Sequence, residues 1–171
     1  MERFAVKRGL VKQVTADGGL GKLAQEFFDD VNVTGENAFT GSHGIMSDIK
    51  AHYDGDALIT DVVNDRPNFD DRDAMKAAQD DRRKFTTFLD VATGYNSKQR
   101  GDKAKEWVKK ASKAKSAISG ALHFMSMAKS MSDEKRETAE ALIAEIEAAL
   151  EAGDNTKAAG RGEKLSKMLN Q

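Results

Sequence analysis

The spacing of apolar residues restricts where strands and helices can occur in this chain. Alternation with a period of two, which is typical of half-buried strands, occurs only within the first 64 residues. From residue 97 onward, apolar residues recur at intervals of about 3.6, the period of an amphipathic helix. The chain is therefore predicted to combine a sheet-containing first half with a helical second half.

The clearest strands are predicted as a hairpin between residues 45 and 63. Apolar side chains from Ile45 to Tyr53 alternate with polar ones, and the alternation groups Met46 with the polar, outward positions. Asp54-Gly55 supplies the turn, because glycine tolerates the positive φ that a tight hairpin needs. Residues 58–63 are then the returning strand.

Further strands and helices are predicted around this hairpin. The strands are residues 3–9 and a segment near Ala38-Phe39, and the helices are residues 20–31 and a segment from Asp70 or Asp71 to residue 92. Gly94 suits the left-handed position after the second helix. This order of elements favours an α+β fold in which a small antiparallel sheet carries helices on one face.

The second half is predicted to be an α-helical hairpin or bundle. One stripe covers residues 97–131, as a single helix or as two helices broken near Ser116 or Gly120. Ser132 caps the next helix, and a weaker helix follows over residues 155–169. We therefore expect two domains, an α+β domain over residues 1–95 and a helical extension over residues 97–171.

Composition excludes several kinds of site. With no cysteine, the chain has no disulfide, thiolate metal site or cysteine nucleophile. The histidines His43, His52 and His123 are too scattered to predict a metal centre, and no cofactor motif is visible. No apolar run resembles a signal peptide or a membrane span, so we expect a cytoplasmic protein. No catalytic or metal motif is visible, so we expect that it is not an enzyme. The alternative to this expectation is an enzyme whose active site is a pocket between the two halves.

Charge is concentrated in one segment. Residues 82–115 contain eleven Lys or Arg and three acidic residues, a net charge of +8, whereas the whole chain sums to −1. Residues 17–81 contain five basic and fifteen acidic residues, a net charge of −10. The basic segment is the one indication of a partner in the sequence.

This segment favours a non-enzymatic module that binds nucleic acid, RNA or a ribonucleoprotein rather than specific DNA, because lysines along a helix can neutralise phosphates. Helical spacing places Lys98, Lys105 and Lys109 on one face, which Lys113 could share. The alternatives are a solvated face balanced by the acidic block, an anionic protein, or a membrane surface, which the alanine-rich stripe disfavours. The predicted contact residues are Lys98, Arg100, Lys103, Lys105, Lys109 and Lys110, with Tyr95 for base stacking and Lys7 and Arg8 extending the patch.

A different class of function also fits the sequence. The helices after residue 116 have a stripe of Ala, Leu, Ile and Met that could pack against another chain. In that case the protein is a homo-oligomer or binds a protein partner through its C-terminal helices.

Two segments resemble an uncharacterised family of small archaeal α+β proteins. They are Phe4-Ala5-Val6-Lys7-Arg8-Gly9, and Phe88-Leu89 followed by Thr93-Gly94-Tyr95 and Lys98-Gln99-Arg100. The resemblance covers about residues 1–105. It implies an α+β domain and an archaeal origin, and it implies no activity.

Overall fold

A computed structural model describes residues 1–128 and 131–170 of the 171-residue chain. The chain divides into two compact units, residues 1–103 and residues 104–171. The first unit contains β1 (Glu2–Ala5), α1 (Leu10–Ala16), α2 (Gly19–Gln25), β2 (Asp30–Gly35), β3 (Ala38–His43), β4 (Met46–Asp54), β5 (Ala57–Asn64) and α3 (Arg72–Thr93). Helix α4 (Ser97–Met127) crosses the division, and α5 (Asp133–Glu151) and α6 (Asn155–Leu169) belong to the second unit.

The five strands form one antiparallel sheet in the order β1-β5-β4-β3-β2. Its centre is the predicted hairpin of β4 and β5, in which Asp54 pairs with Ala57 and Gly55 has a φ of 59°. The predicted α+β fold class is therefore confirmed, including the C-terminal helices.

The core of the first unit lies between one face of the sheet and the helices. Phe28, Phe39 and Phe88 are almost fully buried, and the rings of Phe28 and Phe88 lie 5.0 Å apart between centroids. Ile49 and Leu58 contribute from the centre of the sheet, and both are 0% exposed. Burying each of these side chains contributes about 1.5–3 kcal/mol, so this aromatic cluster fixes how the helices pack on the sheet.

The ends of α3 are where local signals predicted them. The Asp71 carboxylate accepts hydrogen bonds from the backbone N–H groups of Asp73 and Ala74, at 2.9 and 3.2 Å. Gly94 follows the helix with a left-handed φ of 70°. Both predictions are confirmed because each depends on chemistry within a single helical turn.

Two predicted elements of the first unit differ from the structure, and one observed helix was not predicted. The first strand ends at Ala5, because the Lys7 N–H bonds to the Thr93 carbonyl instead of continuing the ladder. The predicted helix over 20–31 ends at Gln25, and Val31 belongs to β2, where it pairs with Gly41. Helix α1 was not predicted, because its seven residues are too few to show a helical period.

Met46 is buried, contrary to the alternation that placed it outward. The register between β4 and β5 shifts between Met46 and Asp48, which marks a β-bulge. A bulge adds one residue to a strand, so the side chains before it change faces. Met46 is consequently 1% exposed and belongs to the core.

In the second unit, α4 is one continuous helix with no break at Ser116 or Gly120. Helix α5 begins after Ser132, whose hydroxyl accepts a hydrogen bond from the Lys135 N–H at 3.3 Å, as predicted. The predicted stripe over residues 97–131 includes residues 129 and 130, which lie outside the described residues. The core of this unit joins all three helices and includes Ala114, Ala121, Met125, Leu142, Ile146, Ala158 and Leu165.

Candidate nucleic-acid interface

The Lys7-Arg8 pair, which follows β1, lies beside the turn between α3 and α4. The Lys7 N–H donates a hydrogen bond of 2.9 Å to the carbonyl oxygen of Thr93. The Thr93 hydroxyl in turn donates to the Leu89 carbonyl at 2.6 Å, which fixes the last turn of α3. A Cβ placed on Gly94 would lie 3.0 Å from the Lys7 Cβ, so glycine allows the two segments to approach. The sequence prediction that Lys7 and Arg8 adjoin the basic segment thus has a direct structural basis.

Helix α4 begins with a reciprocal cap. The Gln99 N–H donates to the Asn96 side-chain oxygen at 3.0 Å, and the Gln99 side-chain oxygen accepts from the Asn96 N–H at 3.0 Å. This is the arrangement of a capping box, in which two unpaired donors of a helix start are satisfied. It orients the first turn of α4, from which Lys98 projects into solvent.

Arg100 is not available as a phosphate contact. Its side chain is 6% exposed and forms an ion pair with Asp90. The guanidinium also donates to the Tyr95 carbonyl at 2.6 Å and to the Ser97 hydroxyl at 3.0 Å. Its Cζ lies 5.9 Å from the centroid of the Phe4 ring. Arg100 therefore joins β1, α3 and α4, and the prediction that it contacts a ligand is not supported by this geometry.

The first unit retains a group of exposed cations, which we call the junction group: Lys7, Arg8 and Lys98. Within residues 1–103, none of the three forms an ion pair or side-chain hydrogen bond with a described residue. Tyr95 is half-buried beside Arg100, and Lys103 is half-buried as well. The junction group is thus the part of the predicted patch that faces solvent in this unit.

In the second unit, Lys105 and Lys109 form a second group, which we call the helix group. At about 100° per residue, Lys105 lies about 180° and Lys109 about 140° around α4 from Ala114. Ala114 is 0% exposed, so it marks the side of α4 that faces the core. Both lysines are exposed, on the side of the helix away from α5 and α6.

Two other lysines of α4 bind side chains of the second unit. The Lys110 Nζ lies 3.2 Å from the Thr156 Oγ1 and 3.3 Å from a Glu106 carboxylate oxygen. The Lys113 Nζ lies 2.5 Å from a Glu163 carboxylate oxygen. That hydrogen bond and the lysine charge lower the pKa of Glu163. Lys110, which was predicted to contact a ligand, thus links α4 to α6 instead.

The apolar stripe predicted as an interface lies mostly inside the second unit. Ala121 and Met125 of α4 pack in its core together with Ile146 of α5. Some large apolar side chains of α4 do remain exposed, including Val108 at 60% and Leu122 at 52%. An interface with another chain would therefore have to use such exposed side chains, of which Leu122 belongs to the predicted stripe and Val108 lies before residue 116.

Two further features were looked for among the described residues: a metal-binding cluster and a helix that could span a membrane. Across residues 1–128 and 131–170, no cluster of three histidine or acidic side chains is arranged to hold a metal ion. In the same residues, no helix combines the length and apolar character that crossing a bilayer requires.

The first unit and its site define a class: an α+β domain with a five-stranded antiparallel sheet and a cationic helix junction. The sequence profile of DUF5611, a domain of unknown function, matches residues 1–106. The chain belongs to this family. The match covers the sheet, α3, the junction group and the start of α4, and the remaining helices follow it. Searches of curated proteins and of solved structures found no match.

Proposed function

We propose that this protein is a non-enzymatic module that binds RNA or a ribonucleoprotein through exposed cations around α4. The observation that carries the proposal is the composition of α4 in the second unit. Between residues 104 and 127 it contains five lysines and one acidic residue, Glu106, which is paired with Lys110. A helix side that offers lysines with so few carboxylates attracts phosphates.

The contact residues of the proposal are the junction group and the helix group. Lys105 and Lys109 are four residues apart, about 6 Å along the helix axis, which is close to the spacing of successive phosphates in a nucleic-acid strand. Each lysine that neutralises a phosphate releases counterions, so binding weakens steeply as salt is added. Tyr95 is retained as a residue that can stack on a base, and Arg100, Lys110 and Lys103 are omitted because they are buried or half-buried.

The proposal also includes an archaeal origin and a cytoplasmic location. The resemblance to small archaeal proteins supports an archaeal origin for the family. A cytoplasmic location fits a partner such as RNA, which is abundant there.

Fluorescence anisotropy with a labelled single-stranded RNA of about 20 nucleotides tests the proposal. The double variant Lys105→Gln/Lys109→Gln should weaken binding, and Lys7→Gln/Arg8→Gln/Lys98→Gln should do so separately. The matched control is Lys157→Gln/Lys164→Gln, which removes two exposed charges from α6. The control should bind like the wild type.

Each alternative predicts a different result. A solvated face without a partner predicts no anisotropy change at about 50 mM salt, which would remove the proposal. Equal losses in the α6 control and in the helix-group variant would show that only net charge matters, which also contradicts it. A protein that fails to bind RNA but forms concentration-dependent oligomers would favour the interface function through Val108 and Leu122.

A further inference from the structure

A cleft of about 400 Å³ opens at one edge of the sheet in the first unit. It lies next to the place where Glu2 of β1 pairs with Thr60 of β5, and β5 itself runs on to Asn64. Helix α3 closes the opposite side with Arg82 and Phe85. The volume is within the range of small-molecule sites, about 300–1,000 Å³.

The inner wall of the cleft contains a buried hydroxyl group without a protein partner. Thr60 is 2% exposed, and its side chain forms no hydrogen bond with a described residue. Among the described residues, no fully enclosed side-chain oxygen or nitrogen lacks a partner. The Thr60 hydroxyl therefore keeps some accessible surface, and Thr60 lines the cleft. The other buried threonine, Thr93, uses its hydroxyl to bond to Leu89 at 2.6 Å.

The rest of the cleft combines two cations with an apolar wall: Arg82, and the N-terminal ammonium of Met1, which lies 3.0 Å from an Asp61 carboxylate oxygen. The apolar wall consists of Met46, which is 1% exposed, together with Val62 and Phe85. Arg82 is exposed at the mouth, and within the described residues its guanidinium has no hydrogen-bond or ion-pair partner. Arginine is well suited to bind a carboxylate, because its planar fork donates two parallel hydrogen bonds.

We propose that this cleft binds a small organic monocarboxylate with an apolar body. Arg82 and the Thr60 hydroxyl both donate hydrogen bonds to the carboxylate, and the apolar body covers Met46 and Phe85. Glu2 and Asp61 also line the cleft. Asp61 is paired with the N-terminal ammonium of Met1, whereas Glu2 has no ion-pair partner among the described residues. The Glu2 charge repels a phosphate dianion more strongly than a monocarboxylate, so a monocarboxylate is the better match. This site is separate from the junction group and does not depend on RNA binding.

The test is a ¹H–¹⁵N NMR titration of the full chain with 4-phenylbutyrate. Its matched probe is 4-phenyl-1-butanol, which has the same apolar body without the charge. We expect saturable shifts confined to amides around the cleft, such as those of Val62 and Asn64, with a Kd of about 1 mM or lower. The alcohol should bind at least about fivefold more weakly.

Variants separate the proposed contacts from general apolar binding. Arg82→Gln should weaken phenylbutyrate at least about threefold and leave the alcohol unchanged, whereas the neighbouring Arg83→Gln should change neither. Thr60→Val should weaken phenylbutyrate with an otherwise unchanged spectrum. The proposal is overturned if the alcohol binds as tightly as the carboxylate, if Arg82→Gln has no effect, or if no saturable shift occurs below about 20 mM.

Discussion

Replacing Arg100 by methionine tests whether this residue stabilises the fold or contacts a ligand. The substitution keeps most of the aliphatic stem and removes the guanidinium that bonds to Asp90, to the Tyr95 carbonyl and to the Ser97 hydroxyl. Removing one partner of a buried ion pair costs about 3–5 kcal/mol when the other charge stays buried. The Asp90 side chain is 41% exposed and can regain water, so the penalty is reduced. We expect a loss of about 2 kcal/mol from the stability of the first unit.

Urea denaturation followed by NMR signals of the first unit measures this loss separately from the second unit. With an m-value of about 1.5 kcal/mol/M, the midpoint should fall by about 1.3 M. Arg83→Met is the control, because Arg83 is exposed and its pair with Asp80 spans 3.5 Å. It should cost less than about 0.5 kcal/mol. An Arg100→Met protein that keeps its midpoint but loses RNA affinity would refute the structural role.

Three further predictions concern the first unit. Gly94→Ala should lower the stability by about 1–2 kcal/mol because of the positive φ. Gly101→Ala, in open space on α4, should raise the stability by about 0.5 kcal/mol. The urea midpoints of the two variants test this difference. Thr60→Val should leave the thermal midpoint unchanged or higher, whereas Thr93→Val should lower it, because only Thr93 loses a hydrogen bond. Equal changes of the thermal midpoint in the two variants would contradict this prediction. Burial raises the pKa of Tyr53 to about 12. Because burial favours the neutral phenol, the contribution of Tyr53 to stability should be constant below about pH 10 and fall between about pH 10 and 12. Tyr53→Phe should remove that part of the fall in alkaline denaturation.

Features set by neighbours in sequence were accessible to prediction. Asp71 and Gly94 bracket α3 because a cap and a left-handed residue act within one turn. The hairpin at Asp54-Gly55 is equally local. By contrast, the position of Met46 depends on a bulge, which shifts the register without any distinctive residue.

The site was only partly predictable for the same reason. The basic segment is visible in the sequence, but which cations reach solvent depends on distant partners. Arg100 is buried because Asp90 and Phe4 meet there, and Lys113 is engaged because α6 brings Glu163 alongside α4. The cleft beside Thr60 depends on how β1 pairs with β5 and on the side chains that α3 brings there, which alternation alone does not reveal.

The salt dependence of RNA affinity tests the central claim most directly. Each phosphate contact on a single strand contributes about 0.7 to the slope of log K against log salt concentration. The account predicts a clearly negative slope for the wild type and a slope less steep by about 1.4 for Lys105→Gln/Lys109→Gln. It also predicts an unchanged slope for Lys157→Gln/Lys164→Gln. A wild-type affinity that does not depend on salt, or a helix-group variant with the wild-type slope, would contradict it.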